Sequence, residues 1–275
     1  MARRKFVLGA MKAYPLQGEA LASAQAVSAW MEKTSRGKLP AFDLIFIPPT
    51  IYLTSVGAAI KGSPIALGAQ NMDIEEGGPY TGHITWRMLQ DVGCEYVMLG
   101  HSELRRPDAP YCGESLDLVR AKLERALADS ELKPVLFIGE NKEERDSGRT
   151  KEIIREQLVS ATKGLAGVSQ RVGARLGIAY EPIWAISKYN PPSPPDPAEV
   201  NKLHLYIREL LSETLGGEVA ERTRILYGGS VGPGNAVSFL AQTEIDGVGV
   251  GSGSVKPKDF IAVLDAVHGL LAPGM

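Results

Sequence analysis

The feature that most constrains the fold is an alternation, repeated eight times, of a short apolar run with a longer segment of helical spacing. The first run, Phe6–Ala10, precedes a segment from residue 17 to 34 in which apolar residues recur every three or four positions. Short runs that are apolar on both faces are typical of buried parallel strands, and the helical segments supply the crossovers. The other seven runs lie at residues 42–47, 65–71, 96–101, 134–140, 178–181, 224–230 and 246–252.

Eight strand-and-helix units with right-handed crossovers favour an α/β fold in which the sheet closes into a parallel (β/α)8 barrel, the TIM barrel. An open, doubly wound sheet is the alternative. No Gly-x-Gly-x-x-Gly segment follows the first run, so the dinucleotide-binding form of the open sheet loses its main support. A chain of 275 residues suits one barrel, and we therefore expect a single domain over residues 1–275.

Composition argues against two classes of partner. The sequence has 30 basic and 32 acidic residues, so no excess of charge is present to recruit nucleic acid or anionic lipid. No stretch approaches the roughly 18 apolar residues of a membrane-spanning helix. Cys94 and Cys112 are too few for a disulfide framework, which is typical of a reducing compartment. We expect a cytoplasmic protein that binds neither nucleic acid nor membrane.

Polar side chains stand where several apolar runs end. In a parallel barrel these ends converge on one face, and Lys12, His101 and Glu181 occupy such positions. Pro182 disfavours the helical region for Glu181 and leaves it extended. A single lysine or histidine after a strand is more often solvated or structural, so the hypothesis depends on the joint placement. A carboxylate, a neutral imidazole and a lysine together can remove a proton beside a carbonyl and stabilise the resulting enediolate.

Two glycine turns follow the last two strands. Gly228-Gly229-Ser230 and Gly251-Ser252-Gly253 offer closely approaching backbone N–H donors, and this part of a parallel barrel often holds a phosphate. Either turn alone is weak evidence, but their occurrence in successive units favours a phosphate site. The four histidines show no ligand spacing with the cysteines and no His-Glu-x-x-His segment occurs, so the sequence does not predict a metal.

With these features the chain resembles the triosephosphate isomerase family over nearly its whole length. This family is itself a type example of the barrel, of a base paired with a neutral histidine, and of lid closure. Such a set of segments in the same order is highly specific. The segments are Ala69-Gln70-Asn71, Tyr80-Thr81-Gly82, Leu99-Gly100-His101-Ser102-Glu103, Phe137-Ile138-Gly139-Glu140, Ala179-Tyr180-Glu181-Pro182-Ile183-Trp184-Ala185-Ile186, Leu226-Tyr227-Gly228-Gly229-Ser230-Val231 and Ile245-Asp246-Gly247.

The resemblance implies roles for particular residues. Glu181 is the expected base and His101 the expected neutral electrophile. Lys12 is the substrate-facing cation, and Glu103 is a polar partner in the same site. The substrate would be a small phosphorylated sugar, no cofactor would be needed, and the protein would be a homodimer in which residues 78–82 dock beside the partner's site. Phosphate binding is implied for backbone N–H groups near Ser187, Gly229, Ser230, Gly251 and Ser252.

Three departures from the family pattern bear on the substrate. Ala10 stands where the family has an asparagine, and Ser252 replaces the second glycine of the usual pair. The expected lid, residues 184–197, is longer than in the family because a proline-rich segment at residues 187–195 follows Ile186. Proline restricts the backbone, so we expect a stiff tip that moves at its ends.

The sequence therefore leaves several functions open. Within an aldose–ketose isomerase, the substrate is either the pair of dihydroxyacetone phosphate and glyceraldehyde 3-phosphate, or a four-carbon erythrulose phosphate of the kind used by a side branch of the family in tetritol breakdown. A phosphate-binding barrel without catalytic activity is the other class. The retention of the three candidate catalytic side chains argues against that class.

Overall fold

A computed structural model of the chain describes residues 3–35, 41–106, 113–165, 172, 173, 175–186 and 194–272. Eight parallel strands form a closed barrel in chain order, and the last strand pairs with the first. The predicted TIM barrel is confirmed, and the open doubly wound sheet is excluded. The strands are β1 Phe6–Ala10, β2 Asp43–Ile47, β3 Ile65–Ala69, β4 Tyr96–Leu99, β5 Lys133–Ile138, β6 Gly177–Tyr180, β7 Arg224–Tyr227 and β8 Gly247–Val250.

Helices cover the outside of the barrel, and none of those in the described ranges is long and apolar enough to cross a membrane. In the described ranges, single 3-10 turns accompany them at Thr50–Tyr52, Ile183–Ala185 and Ser252–Ser254. The α-helices are α1 Gln17–Ser35, α2 Leu53–Ala59, α3 Trp86–Asp91, α4 Ser102–Arg105, α5 Leu116–Ala128, α6 Lys142–Asp146, α7 Thr150–Thr162, α8 Pro197–Leu215, α9 Gly217–Arg222, α10 Ala236–Leu240 and α11 Pro257–Leu271.

Capping side chains decide where two of these helices begin. Periodicity predicts starts near residues 84 and 113, but α3 and α5 begin later. Thr85 accepts a hydrogen bond from the Met88 N–H, and Ser115 accepts one from the Leu118 N–H. An N-cap residue has extended backbone angles, so the helical segment starts only after it.

The strands are buried on both faces, as their continuous apolar sequences predict. In β1, the side chains of Phe6, Leu8 and Ala10 belong to the core inside the barrel, and Val7 belongs to the core between strands and helices. Phe6, Val7 and Leu8 are all at most 1% exposed. Burying a side chain of this size contributes about 1.5–3 kcal/mol to folding. This two-layered core holds the carboxyl ends of the strands in fixed positions around one rim.

Buried and half-buried ion pairs close the amino end of the barrel. Asp246 is 1% exposed and accepts hydrogen bonds from Arg3 Nε at 2.8 Å and Arg208 Nη2 at 2.9 Å. Arg224 donates to Asp43 at 2.6 Å and to the Tyr96 hydroxyl at 3.1 Å. Removing one partner of a buried pair typically destabilises a protein by about 3–5 kcal/mol. This end of the barrel therefore serves stability.

Candidate active site

The carboxyl ends of β1, β4 and β6 bring Lys12, His101 and Glu181 into one cleft. Glu181 directly follows β6, while Lys12 and His101 come two residues after β1 and β4. The sequence predicts this convergence because parallel strands in a barrel all end on the same rim. The cleft is lined by Leu8, Ala10, Lys12, Tyr14, Met98, His101, Phe137, Glu181, Ile186, Gly228, Gly229, Ser230, Val231, Gly249, Val250, Gly251, Ser252 and Gly253.

Glu181 is buried, and both of its carboxylate oxygens are engaged. Oε1 lies 2.9 Å from His101 Nε2, and Oε2 accepts a hydrogen bond from the Ser102 N–H at 3.3 Å. Burial raises the pKa of the Glu181 carboxyl, but the interactions with His101, the charge of Lys12 and the Ser102 N–H outweigh it and leave the pKa below its ordinary value. Glu181 is therefore an ionised carboxylate at neutral pH, able to accept a proton.

The backbone of Glu181 lies so close to residue 139 that only glycine fits at that position. Gly139, just beyond β5, has φ of +159°, and a Cβ built there would lie 2.0 Å from the Glu181 carbonyl oxygen. Any larger residue at position 139 must therefore displace the peptide that carries the candidate base. The sequence contains this glycine in a segment typical of the family, but its role depends on a contact between strands that the sequence alone does not reveal.

His101 is held as a neutral imidazole. Its Nδ1 accepts a hydrogen bond from the Glu103 N–H at 3.2 Å, which makes His101 the N-cap of α4. A nitrogen that accepts a hydrogen bond cannot also carry a proton, so the proton of the ring is on Nε2, facing Glu181. The ring also packs on Phe137 with centroids 5.1 Å apart. This tautomer can donate a hydrogen bond to an oxygen in the cleft.

Lys12 and Glu103 form an ion pair beside these two groups. Lys12 Nζ lies 3.1 Å from Glu103 Oε1, and Glu103 Oε2 lies 3.9 Å from His101 Nδ1. Lys12 has φ of +50°, and it is the one non-glycine residue with positive φ in the described part of the chain. Such a conformation costs about 1–3 kcal/mol and is found mainly at functional sites.

In the first glycine turn, Ser230 is hydrogen-bonded to the backbone of the protein. Both the N–H and the hydroxyl of Ser230 donate to the Ala185 carbonyl, at 3.1 and 2.8 Å. At Gly229, a Cβ would lie 2.2 Å from the buried hydroxyl of Tyr227, so only glycine fits there without movement. The turn therefore joins β7 to the start of the lid.

The second glycine turn lines the same cleft and lies close to Lys12. A Cβ built at Gly251 would lie 4.0 Å from Lys12 Cε. Ser252 is exposed and begins a 3-10 turn in which the Ser254 N–H and hydroxyl both donate to the Gly251 carbonyl. The four candidate phosphate-binding residues of the two turns thus line the same cleft as Lys12, His101 and Glu181. Ser187 and most of the proline-rich segment at residues 187–195 lie outside the described residues.

The start of the lid is anchored by a buried glutamate that sequence reasoning gave no role. Trp184 Nε1 donates to Glu140 Oε1 at 2.9 Å, and the Tyr180 hydroxyl lies 3.2 Å from both Glu140 oxygens. The Arg145 guanidinium stacks 3.7 Å from the centre of the Trp184 ring. Burial raises the pKa of Glu140 despite these hydrogen bonds. The feature of the sequence that could have indicated a role for Glu140 is its position after an apolar strand, which it shares with Glu181.

The site's donors suit an organic anion better than a metal. The residues described by the structure hold no group of three or more His, Cys, Asp or Glu side chains placed to bind a metal ion. The cleft instead combines one ammonium, one imidazole N–H and two glycine turns. These are the groups that bind phosphate and stabilise an oxyanion.

Comparison with known proteins gives a consistent result. A family model described as "Triosephosphate isomerase" matches residues 5–267. The triosephosphate isomerase of Rhodopirellula baltica is 42% identical over 230 residues, which cover 84% of this chain and 86% of that protein. The triosephosphate isomerase of Carboxydothermus hydrogenoformans is 40% identical over 262 residues, 95% of this chain and 98% of that protein.

A solved structure agrees with these relatives. The crystal structure of triosephosphate isomerase from Bartonella henselae superposes with a TM-score of 0.79 at 31% identity, covering 96% of this chain and 99% of that chain. The matches extend across the barrel and include every segment that positions the cleft. The chain therefore belongs to the triosephosphate isomerase family.

Proposed function

We propose that the protein interconverts dihydroxyacetone phosphate and glyceraldehyde 3-phosphate through an enediolate. The observation that supports this most strongly is the contact of 2.9 Å between the Glu181 carboxylate and His101 Nε2, in a cleft that also contains Lys12. An ionised base, a neutral hydrogen-bond donor and a fixed cation are the groups that this chemistry requires. The names of the relatives favour the three-carbon substrates.

Each group has a distinct task in the proposed reaction. Glu181 accepts a proton from the carbon beside the substrate carbonyl and later returns it to the neighbouring carbon. His101 Nε2–H donates a hydrogen bond to the carbonyl oxygen as negative charge develops there, and the Lys12 ammonium stabilises that charge. Between the two transfers at carbon, the hydroxyl proton of the substrate passes to the former carbonyl oxygen through His101 Nε2. The net change therefore moves two hydrogens within one molecule, and no external oxidant or reductant is needed.

Phosphate binding and the lid are coupled in this proposal. The Ser230 N–H now donates to Ala185, so a phosphate that takes this donor competes with the start of the lid. Gly229, Gly251 and Ser252 supply the neighbouring backbone groups, with Ser187 as a further expected contact. We propose that binding of phosphate releases Ala185 and allows the lid to move over the substrate.

The test is direct assay of the purified protein. We expect turnover of dihydroxyacetone phosphate, and a Glu181→Gln variant provides the blank because an amide cannot accept the proton. Erythrulose phosphate, the alternative four-carbon substrate, should be assayed on the same preparation. Absence of turnover with both sugars, in protein shown to be folded, would return the non-catalytic barrel to consideration.

We further propose a cytoplasmic homodimer formed by one domain over residues 1–275. Three large apolar side chains near the carboxyl rim are exposed, namely Tyr14 at 59%, Leu16 at 72% and Ile51 at 81%. Tyr80, in the loop expected to dock on the partner, is 44% exposed. Sedimentation velocity of the wild type and of Leu16→Glu tests this, with a dimer expected for the first and a shift towards monomer for the second.

A further inference from the structure

Lys12 has a backbone conformation that lysine does not favour. With φ of +50° it lies in the left-handed region, where a residue with a Cβ is strained. Met11 is still fixed to the sheet, because its N–H donates to the Ile47 carbonyl at 3.0 Å. The chain therefore leaves the barrel at Lys12 itself. Something outside β1 must hold this residue, since otherwise the backbone would relax to negative φ.

Gln70 supplies that hold. Its Nε2 donates to the Lys12 carbonyl oxygen at 2.8 Å, across 58 positions of sequence. Gln70 directly follows β3, so its backbone starts from a rigid strand. The bond fixes the plane of the peptide that follows Lys12. Fixing that plane restricts ψ of Lys12 and with it the direction in which the side chain leaves the backbone.

The residue after Gln70 is itself locked in place. Asn71 Nδ2 donates to Glu114 Oε1 at 2.9 Å, and Lys122 Nζ donates both to Asn71 Oδ1 at 3.1 Å and to Glu114 Oε1 at 2.6 Å. Lys122 is 2% exposed, so this is a buried network that ties the turn to α5. Because its neighbour is fixed, Gln70 cannot move with the Lys12 backbone if that backbone shifts towards negative φ.

We propose that Gln70 is a positioning residue that holds Lys12 in its strained conformation and so aims the ammonium into the cleft. This inference rests on the proposed function, in which Lys12 faces the substrate. Glu103 restrains the same ammonium at 3.1 Å, but that contact acts at the flexible tip of the side chain. Gln70 acts on the backbone, where a small rotation moves the ammonium by several ångströms.

The test is a double-mutant cycle between Gln70→Met and Lys12→Ala, measured as kcat and KM with dihydroxyacetone phosphate. Methionine has a similar length but cannot donate the hydrogen bond. We expect Gln70→Met to lower kcat/KM by about 10- to 100-fold, with changes in both kcat and KM, because a misplacement of about 1 Å can have this effect. In the Lys12→Ala background the same change should alter kcat/KM by less than about twofold. Gln90→Met, on α3 and outside the cleft, is the matched control and should resemble the wild type.

The outcomes separate this inference from the proposed function. Near-normal kcat/KM in Lys12→Ala would contradict the role of Lys12 itself. A severe loss in Lys12→Ala, together with a Gln70→Met effect that is absent or fully additive, would overturn the role of Gln70 alone. Thermal unfolding establishes that each variant is folded, and Gln70→Asn, whose amide is one methylene too short to reach Lys12, replaces Gln70→Met if the latter does not fold. A crystal structure of the variant should show Lys12 with negative φ.

Discussion

Glu181 and His101 are hydrogen-bonded to each other, with Glu181 Oε1 2.9 Å from His101 Nε2. The second Glu181 oxygen accepts a hydrogen bond from the Ser102 N–H, so both oxygens of the candidate base have partners within the protein. A carboxylate in this position must exchange its present partners for the substrate before it can accept a proton from carbon.

The first prediction concerns the protonation of His101. Because Nδ1 accepts the Glu103 N–H at 3.2 Å, we expect the ring to be neutral at pH 7 with its proton on Nε2. Nitrogen-15 NMR of histidine-labelled protein measures this directly, and a His101→Gln variant assigns the signal. A doubly protonated His101 at neutral pH would contradict the proposed hydrogen-bond donor.

The second prediction concerns the crowded glycine in the first phosphate turn. Gly229→Ala places a methyl group 2.2 Å from the Tyr227 hydroxyl, so we expect the turn to shift and KM for the sugar phosphate to rise by about tenfold or more. Tyr227→Phe in the same chain should restore part of the loss because it removes the clashing oxygen. Gly232→Ala is the matched control, since nothing lies within 4 Å of a Cβ at that position. Equal effects of the two alanines would show that the clash is irrelevant.

The third prediction concerns the lid. If a phosphate takes the Ser230 N–H from Ala185, the adjacent Trp184 should lose its contacts with Glu140 and Arg145. The chain has three tryptophans, so a Trp30→Phe/Trp86→Phe variant isolates the fluorescence of Trp184. We expect its emission to change on titration with dihydroxyacetone phosphate, and Glu181→Gln can be added to prevent turnover. Emission that stays constant at saturating ligand would indicate a lid that does not move.

The barrel and the convergence of its strand ends could be predicted from the sequence, but the shortest helices could not. Eight short runs that are apolar at nearly every position predict strands buried on both faces, and eight such strands predict the barrel. The shared rim of the barrel then places Lys12 and Glu181 together. The one-turn helices α4 and α6 could not be predicted, because a capped single turn has no hydrophobic periodicity. His101 and Asn141 cap them through side-chain nitrogen and oxygen atoms that serve only once the chain is folded.

Other features depend on contacts between distant segments. The restriction at Gly139 arises from the backbone of Glu181, just after β6, and the strained backbone of Lys12 is held by Gln70, just after β3. The anchoring of Trp184 by Glu140 also joins two strand ends. Local sequence contains each residue but does not show which partner it will meet. The roles of these residues therefore emerge only from the tertiary structure.

The fourth prediction concerns stability in acid. His204 is fully buried against Tyr180, and its Nε2 has no hydrogen-bond partner among the described residues. Burial lowers the pKa of His204 from 6.5 to about 3, so the unfolded chain binds a proton that the folded chain does not. The free energy of unfolding should therefore fall as pH decreases from about 6.5 towards 3, by up to roughly 4–5 kcal/mol from this group.

Chemical denaturation between pH 7 and 4 measures this dependence, and His204→Phe should flatten it because phenylalanine cannot be protonated. The lowered pKa of Glu181 acts in the same direction at lower pH, since its contribution is lost as pH falls through a folded pKa below 4.5. An identical slope in the wild type and in His204→Phe would show that His204 does not determine the acid limit.

The most direct test of the central claim is deuterium exchange into substrate carbon. Dihydroxyacetone phosphate is incubated with the purified protein in heavy water and followed by proton NMR. We expect deuterium to appear on the carbons that exchange a proton with Glu181. Glu181→Asp, which retracts the carboxylate by one methylene, should slow both exchange and turnover by about 100-fold or more. The exposed Glu131→Asp serves as the matched control and should behave as the wild type. Exchange that is absent in the wild type, or that continues undiminished in Glu181→Asp, would contradict the assignment of Glu181 as the base.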